Sequence, residues 1–325
     1  MIITRTPFRI SLVGGGTDLP SFYHRHEGCV LSTTINKYMY IVLHPTFNQQ
    51  DTIIKYNKTE IVQDIHNIQH PIARELLLKH DIKGVEITSM ADVLSGTGLS
   101  TSSAYTVGLI NALHNYKDEL YSQAQIAEEA CDLELNILKE PIGKQDQYGT
   151  AIGGIKMIKF LPNEEVKVKP IYLKYDIMNE LNNNLILFYT GITHSAGEIL
   201  KEQSQNIVDE KEKFDKMLQM TELVYDARRA LNVGDIDEIG YLLHTNWVLK
   251  RGLASKITNP IVDKYYNIAL RNGALGGKLL GAGNGGFLLF YCPKEKQQKL
   301  REALDLVELP FKFEDEGTKV IYYSR

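Results

Sequence analysis

Apolar and polar residues alternate with the period of β-strands through the first part of the chain. Short runs of this kind, rich in β-branched residues and bounded by glycine, proline or asparagine, are typical of strands. They predict strands over Ile2–Thr6, Arg9–Val13, Cys29–Ile35, Tyr38–His44, Thr52–Tyr56 and Val85–Ser89, and a short helix over Pro71–His80. The chain therefore begins as a strand-rich region interrupted by one helix.

The spacing of apolar residues becomes helical after Ser103. Two stripes at this spacing are Ala104, Val107, Ile110 and Leu113, and then Ile126, Ala130, Leu133 and Ile137. Ser122 and Gln125 form a capping box at the start of the second helix, and Pro141 ends it. An apolar run over Ile155–Phe160 predicts the next strand.

Helices dominate the pattern of the second part of the chain. A polar stretch over residues 161–184 predicts a junction between domains, and an apolar strand over Leu185–Tyr189 follows it. The region 196–233 has no proline and one glycine, which predicts one or two long helices. Asn259 followed by Pro260 begins another helix. A glycine-rich turn, a charged helix and two strands complete the chain.

Length and composition indicate a globular protein of two domains. The 325 residues are 43% hydrophobic and 23% charged, which is ordinary for this class. Because strands and helices mix without a regular βαβ repeat, we predict an α+β fold. We expect one domain over residues 1–175 and another over residues 176–325.

Charge and cysteine content exclude several classes of function. A net charge of −4 gives no basic field for nucleic acid or an acidic membrane. The sequence contains no run of about 18 apolar residues, which is the length that would predict a membrane span. The three cysteines, Cys29, Cys131 and Cys292, form no CxxC pair, so we expect a reduced cytoplasmic protein without a structural zinc site. The expected partner is a small molecule, and the sequence leaves a homodimer open.

The segment 94–104 has the composition of a phosphate-binding loop. It is rich in glycine and hydroxyl residues and leads directly into a predicted helix. A helix N-terminus offers unpaired N–H groups, glycines allow a ligand to approach closely, and hydroxyls add donors and metal ligands. A polyphosphate fits this pattern, and a flexible loop ending in a serine N-cap is the alternative. No lysine follows Gly98, which excludes a Walker A loop, and the protein-kinase motifs are absent from the sequence.

Two aspartates are candidates for contact with a sugar. Asp18 ends the turn formed by residues 14–17, where a carboxylate can accept hydrogen bonds from sugar hydroxyls or form an Asx-turn. Asp146 follows a proline-terminated helix, with Lys144 nearby. It could accept a proton from a substrate hydroxyl or orient that hydroxyl. The alternative is a surface ion pair of little energetic worth.

Glu134 and a third glycine cluster complete the candidates. Glu134 lies on the flank of a buried helical stripe, where a carboxylate needs a partner such as Mg²⁺, an arginine or a helix N-terminus. The turn over residues 281–286 holds four glycines, which is more than a hairpin needs. This excess indicates close approach to a ligand or to another loop.

Three motifs in this order resemble those of the GHMP kinases, the family of galactokinase, homoserine kinase and mevalonate kinase. They are PFRISLVGGGTD over residues 7–18, GTGLSTSSA over 96–104 and KLLGAGNGGF over 278–287. The resemblance implies an N-terminal domain like domain 2 of ribosomal protein S5 and a ferredoxin-like C-terminal domain, with the active site between them. It also implies ATP and Mg²⁺ as cofactors.

Within this family the chain is most similar to members that act on D-glycero-D-manno-heptose 7-phosphate. The similarity rests on residues 5–18, GKQDQY over 143–148, YTGIT over 189–193 and WVLK over 247–250. It implies phosphorylation of the anomeric hydroxyl to give a 1,7-bisphosphate, in the synthesis of nucleotide-activated heptose for surface polysaccharide. Galactokinases carry Glu-His where this chain has Gly15-Gly16, which argues against galactose.

The resemblance further implies roles for single residues. Asp146 would be catalytic with Arg9 stabilising charge beside it, and Glu134 with Ser103 (or Ser102) would hold the metal. The predicted ATP contacts are Gly96, Thr97, Gly98, Leu99, Ser100, Thr101, Ser102 and Ser103. The predicted substrate contacts are Gly15, Gly16, Thr17, Asp18, Lys144, Gly283, Lys250 and Arg251.

The 7-phosphate needs a cationic partner. Lys250 and Arg251, beside Trp247, are the first candidates and Lys144 is the second, and a solvated helix face is the alternative for the first two. A neutral sugar such as L-fucose or an N-acetylhexosamine would need no such pocket, and an anomeric kinase for one of these is the competing hypothesis. A second competing hypothesis is a non-catalytic sensor of sugar and nucleotide. A sensor, however, does not need Asp146, Glu134 and the serine loop together.

Overall fold

The computed structural model describes residues 1–193 and 197–324. Within these residues the strands form one sheet of nine strands and one of four. The strands are β1 (Ile2–Val13), β2 (Gly28–Pro45), β3 (Thr52–Lys55), β4 (Thr59–Val62), β5 (Val85–Ala91), β6 (Ile155–Phe160), β7 (Val166–Pro170), β8 (Leu185–Tyr189), β9 (Gly276–Leu279), β10 (Phe287–Tyr291), β11 (Val307–Glu308), β12 (Phe313–Glu314) and β13 (Lys319–Tyr323). The mixture of sheets and helices confirms the α+β class.

Helices pack on both sheets. They are α1 (Pro20–Tyr23), α2 (Pro71–His80), α3 (Thr101–Tyr116), α4 (Gln123–Cys131), α5 (Gln145–Ala151), α6 (Tyr175–Asn184), α7 (Gly197–Asp209), α8 (Lys211–Val233), α9 (Asp237–Arg251), α10 (Pro260–Arg271) and α11 (Gln297–Leu304). A π-helical turn over Asp132–Ile137 follows α4 directly, and short 3₁₀ turns cover Ile65–Asn67 and Lys294–Lys296. Across the described residues, none of these helices combines the length and the apolar character that crossing a membrane requires.

The larger sheet is built around β1 and β2, which pair antiparallel over most of their length. Its order is β13-β1-β2-β5-β3-β4, with β6 and β12 also paired to β2 and β7 paired to β6. The smaller sheet has the order β11-β8-β10-β9. Alternate residues of β10 enter two different hydrophobic cores: Leu289 packs in the core of the larger sheet, whereas Leu288 and Phe290 pack among the helices of the second half. Burial on both faces explains the continuous apolar run of this strand.

Several predicted elements begin and end at the same residues as the observed elements. The helix Pro71–His80 and the strands Ile155–Phe160 and Leu185–Tyr189 are confirmed, as is the capping box of Ser122. The long helical region consists of α7 and α8, and its predicted first residue, Ala196, lies outside the described residues.

The two predicted strands at the start of the chain are one strand, β1. Its register against β2 shifts between Pro7 and Phe8. Such a bulge lets a strand continue through a proline, which has no N–H to donate to the ladder. The predicted pair Cys29–Ile35 and Tyr38–His44 is likewise continuous in β2. The pattern located these strands but not their continuity, because it was broken at turn-forming residues.

The last two strands of the chain join the same sheet as the first two strands. Strand β13 pairs antiparallel with β1, and β12 pairs with β2. Residues after about 312 therefore complete the first sheet, although they follow the boundary predicted at residue 175. Lys278 of β9 also joins the two halves, because its buried Nζ donates to the carbonyl oxygens of Ser11 at 2.9 Å and Leu12 at 3.2 Å.

Two glycine-rich loops, residues 96–103 and 281–286, lie against each other. Gly98 and Gly281 have positive φ angles of 86° and 74°. A Cβ on Gly281 would lie 2.6 Å from the Cα of Gly98, and a Cβ on Gly98 would lie 2.6 Å from the Leu280 carbonyl oxygen. Side chains at this contact would separate the loops, so both positions require glycine.

We expect Gly281→Ala to destabilise the protein by roughly 2 kcal/mol more than Gly191→Ala, because overpacking adds to the backbone strain. Gly191 is the matched control: its φ is 78°, and a Cβ there would meet nothing within 4 Å. Equilibrium unfolding in urea measures the difference. Equal losses in the two variants would show that the loops can move apart without cost.

Candidate active site

A cleft of about 520 Å³ lies where the two glycine loops meet the ends of β1, α5 and α9. Its wall combines residues of the loop before α3 with several charged side chains. The acidic ones are Asp18, Glu134, Glu140 and Asp146, and the arginine and lysine side chains are Arg9, Lys250 and Lys278. A buried concave site with several charged groups is typical of an active site.

The loop before α3 presents its backbone and hydroxyls to the cleft. Ser100 has a left-handed backbone with φ of 65° and makes no capping hydrogen bond, and its buried Oγ has no partner among the described residues. The alternative of a simple serine N-cap is therefore wrong, and the first N–H groups of α3 remain for a ligand. The loop residues that line the cleft are Gly96, Gly98, Ser100, Thr101, Ser102 and Ser103.

Two predicted ATP contacts point elsewhere. Thr97 is buried, and its Oγ1 donates to the Leu94 carbonyl at 2.8 Å. Its own carbonyl accepts from the N–H of Phe287 at 3.1 Å. The side chain of Leu99 is fully buried in the core. Both residues hold the loop in place rather than line the cleft.

Arg9 connects the phosphate loop to Asp146. Its Nε and Nη2 donate to Asp146 Oδ1 at 2.9 and 2.7 Å, and its Nη1 donates to the Gly98 carbonyl at 2.8 Å. Arg9 is 3% exposed, whereas the Asp146 side chain is 31% exposed and faces the cleft. Because both bonds use Oδ1, the other carboxylate oxygen of Asp146 is available to a substrate hydroxyl.

Asp18 is held by α5. Its carboxylate accepts from the N–H of Gln145 at 3.1 Å, from Gln145 Nε2 at 2.9 Å and from the N–H of Gly16 at 3.0 Å. Burial raises the pKa of Asp18 to about 6, and the charge of Asp146 adds to this shift. Gly15 and Gly16 line the cleft beside it. The hydroxyl of Thr17 points inward instead and donates to the Gly14 and Cys29 carbonyls.

Glu134 enters the cleft from the π-helical turn after α4, whereas periodicity predicted an ordinary helix. Its carboxylate accepts from Ser103 Oγ at 2.9 Å and from Thr106 and Gln147. Burial raises the pKa of Glu134 to about 7. This buried carboxylate forms no ion pair within the described residues, and together with the hydroxyls of Ser103 and Thr106 it provides oxygen ligands of the kind that Mg²⁺ prefers. Ser103, not the exposed Ser102, contacts it.

The predicted phosphate-binding cations separate in the structure. Lys250 is buried, lines the cleft and donates to the Gly281 carbonyl. Burial lowers its pKa to about 8, and the nearby Arg9 lowers it further. Arg251 lies outside the cleft, with its Nη1 3.6 Å from Asp263 Oδ1. The next residue on a helix points about 100° away, which explains the difference.

Two more predicted substrate contacts also lie outside the cleft wall. Lys144 donates to the carbonyl of Glu164 at 3.1 Å and forms an ion pair with its carboxylate, over the ring of Tyr23. A Cβ on Gly283 would lie 2.6 Å from the backbone of Ile257, so this glycine packs its loop against the preceding segment.

Gln203 is a cleft residue that the sequence did not indicate. It comes from α7, is fully buried, and neither its Oε1 nor its Nε2 has a partner among the described residues. An unpaired buried amide costs free energy unless a ligand satisfies it. A single glutamine on an amphipathic helix carries no pattern that marks it, whereas Lys278 could have been found because it begins the third motif.

The protonation of Asp18 predicts a measurable pH dependence. Between about pH 4 and pH 6 the folded state keeps a proton that the unfolded state loses, so the contribution of Asp18 to stability falls as the pH rises. We expect Asp18→Asn to gain about 2 kcal/mol relative to the wild type between pH 4.5 and pH 7. Urea unfolding at the two pH values measures this change. A difference that does not vary with pH would contradict the burial of an ionisable carboxyl here.

Comparisons with known proteins show the family of this chain. Residues 66–154 match the family described as GHMP kinases N terminal domain, and residues 227–307 match GHMP kinases C terminal. The chain is 30% identical to the D-glycero-alpha-D-manno-heptose 7-phosphate kinase of Campylobacter jejuni over 98% of both chains. It is 26% identical to the L-fucokinase/L-fucose-1-P guanylyltransferase of Bacteroides fragilis, over 94% of this chain and 36% of that one.

A solved structure shares the fold along its entire length. The D-glycero-D-manno-heptose 1-phosphate kinase of Bacteroides thetaiotaomicron superimposes with a TM-score of 0.82 at 23% identity, covering 100% of both chains. Together with the two family matches and the relative from Campylobacter jejuni, the order of the loops around the cleft leads to one conclusion. The chain belongs to the GHMP kinases and is a sugar kinase.

Proposed function

We propose that this protein transfers the γ-phosphoryl group of ATP to the anomeric hydroxyl of D-glycero-D-manno-heptose 7-phosphate. The observation that carries this proposal is the placement of Arg9, which holds Asp146 and the phosphate loop together in one cleft. The product would be a 1,7-bisphosphate that feeds the synthesis of nucleotide-activated heptose. The three cysteines, all free and buried, are consistent with a cytoplasmic location.

The phosphate loop supports the binding of ATP. Its glycines leave the backbone accessible, and the N-terminus of α3 places N–H donors and a partial positive charge at the cleft. Glu134 and Ser103 would hold Mg²⁺ beside the phosphates. A bound Mg²⁺ would neutralise part of the phosphate charge and also compensate the buried carboxylate of Glu134.

Asp146 is placed to receive the hydroxyl that attacks. Arg9 keeps one carboxylate oxygen engaged and the whole group in a fixed orientation. The free oxygen accepts a hydrogen bond from the anomeric hydroxyl and takes its proton as the bond to phosphorus forms. An anomeric hydroxyl is more acidic than other sugar hydroxyls and phosphoryl transfer is loose, so orientation contributes more than early deprotonation.

The sugar lies between Asp18 and Gln203 in this proposal. Asp18 accepts hydrogen bonds from hydroxyls, and the unpaired amide of Gln203 offers one acceptor and two donors. A sugar hydroxyl can both donate and accept a hydrogen bond, and so can pair with either polar atom of the Gln203 amide.

Lys250 is the cation that supports a phosphorylated substrate. Of the three predicted cations, Lys250 is the one that lines the cleft. Its ammonium is buried, so a bound anion would stabilise its charge. The ammonium of Lys250 donates to the Gly281 carbonyl, and the charges of Arg9, Asp18 and Asp146 act on it electrostatically.

An anomeric kinase for a neutral sugar is the competing proposal, because L-fucokinase sequences also match the chain. A coupled assay of ADP release with ATP and Mg²⁺ separates the two. The substrates compared are D-glycero-D-manno-heptose 7-phosphate, unphosphorylated heptose, L-fucose and N-acetylglucosamine. We expect turnover with the heptose 7-phosphate alone. Turnover with a neutral sugar would reject the substrate, and no turnover with any sugar would favour a sensor.

We expect Asp146→Asn to lower kcat by about 100- to 10,000-fold, because the variant loses the proton acceptor but keeps the phosphate loop. Binding of a fluorescent ATP analogue should change by no more than about threefold, since Asp146 contacts the loop only through Arg9. Asp176→Asn, an exposed aspartate on α6, is the control. Full activity of Asp146→Asn would exclude this residue from the reaction.

Lys250→Met tests the phosphate contact. We expect kcat/KM for heptose 7-phosphate to fall by about 100-fold while the KM for ATP is unchanged, because only the sugar phosphate loses a desolvated ion pair. Arg251→Met is the matched control, since Arg251 lies outside the cleft. An equal loss of apparent affinity for ATP would move Lys250 from the 7-phosphate to the phosphate groups of ATP.

A further inference from the structure

A second group of ligating side chains lies outside the catalytic cleft. His80 ends α2, His114 lies in the last turn of α3, and Glu129 lies in α4. In the described part of the chain, these form the one group of three histidine, cysteine or acidic residues whose ligand atoms all lie within 4.8 Å of one another. They border a broad open groove of about 1860 Å³, so an ion could enter from solvent.

Both histidines face the same carboxylate. His80 Nε2 lies 3.0 Å from Glu129 Oε1, and His114 Nε2 lies 2.6 Å from Glu129 Oε2. The two imidazole rings are nearly perpendicular, at 84°, with centroids 4.8 Å apart. His80 and His114 are buried, and the Glu129 side chain is 10% exposed. Three donor atoms from three helices therefore converge on one point with little freedom to separate.

The outer contacts of His114 are those of a metal-binding histidine. Its Nδ1 lies 2.8 Å from Glu119 Oε2, and the ring of Tyr121 stacks on it at 3.6 Å. A carboxylate on Nδ1 fixes the ring orientation and leaves Nε2 as the atom that binds the metal. Hydrogen bonding to Glu129 alone does not require this second carboxylate.

We propose that His80, His114 and Glu129 form a binding site for Zn²⁺, separate from the kinase reaction. Two imidazole nitrogens and one carboxylate oxygen are ligands that suit Zn²⁺, whereas Mg²⁺ and Ca²⁺ prefer oxygen alone. Binding replaces the proton on each Nε2 with the metal, and a water molecule from the groove completes four ligands. The cysteine pattern predicts no structural zinc site, but it carries no information on a site built from histidines.

Lys79 competes with the metal at this position. Its Nζ lies 3.2 Å from Glu129 Oε1 and 3.6 Å from Asp132 Oδ2, and its side chain is 38% exposed. The ammonium neutralises Glu129 when the metal is absent, and it must turn toward Asp132 and solvent when the metal binds. Removal of this cation should therefore tighten binding.

The site joins helices that also carry the catalytic metal ligands. Helix α3 begins at the phosphate loop and includes both Ser103 and His114, and the π-helical turn with Glu134 follows α4 directly. A cation bound by His114 and Glu129 would hold the last turn of α3 against α4. Binding should raise the thermal stability of the whole domain.

Zinc titration of the chelator-treated full-length protein against a chromophoric chelator tests the site. We expect one equivalent to bind and to raise Tm. His80→Gln and Glu129→Gln should each weaken binding by at least about 100-fold, and Glu119→Gln by about 10- to 100-fold. His66→Gln, an exposed histidine elsewhere in the chain, is the control and should leave binding unchanged.

Lys79→Met tests the site while keeping all three proposed ligands. We expect it to bind Zn²⁺ about 10-fold more tightly than the wild type, because a competing cation is gone. Failure of both the wild type and Lys79→Met to bind one equivalent would overturn the proposal. Binding that is unchanged in a correctly folded His80→Gln variant would do the same. Neither result would bear on the kinase reaction, which is measured separately.

Discussion

The buried guanidinium of Arg9 is the interaction on which the catalytic cleft depends. It lies in β1 and bonds at once to Asp146 of α5 and to the Gly98 carbonyl of the phosphate loop. The fork of an arginine holds two separate acceptors at fixed angles, which the single ammonium of a lysine does not. Because the charge of Arg9 is buried, loss of the Asp146 carboxylate would leave it without a counter-charge, at a cost of several kcal/mol. Asp146 and the loop before α3 are therefore fixed relative to each other before any substrate binds.

The second constraint is the contact between the two glycine loops. Gly98 and Gly281 approach so closely that neither can carry a side chain, and the same loop accepts the hydrogen bond of Lys250. Lys278 adds a buried bond from β9 to the backbone of β1. Segments from the two ends of the chain thus meet at the cleft, where their charged groups lie within reach of one substrate.

The sequence predicted which residue types form the cleft better than it predicted the directions of their side chains. The serine and glycine loop, Asp18 and Asp146 stand in motifs, Glu134 lies beside a predicted helical stripe, and all of them line the cleft. The directions of Lys144 and Thr17 follow from register and packing with residues distant in the sequence, which a local pattern does not contain. On α9, Lys250 continues the buried stripe of Ile239, Leu243 and Asn246, whereas Arg251 lies about 100° around the helix from Lys250. Trp247 alone does not separate the two, because the third and the fourth residue after it both lie on its face of the helix.

In the proposed reaction, a sugar already phosphorylated at one end receives a second phosphate at its anomeric oxygen. ³¹P and ¹H NMR spectra of the product formed from ATP and D-glycero-D-manno-heptose 7-phosphate show where the second phosphate lies. We expect one new phosphorus resonance coupled to the anomeric proton, with the 7-phosphate resonance retained. A new phosphate on any other oxygen of the sugar, or no new resonance while a neutral sugar is phosphorylated, would overturn this proposal.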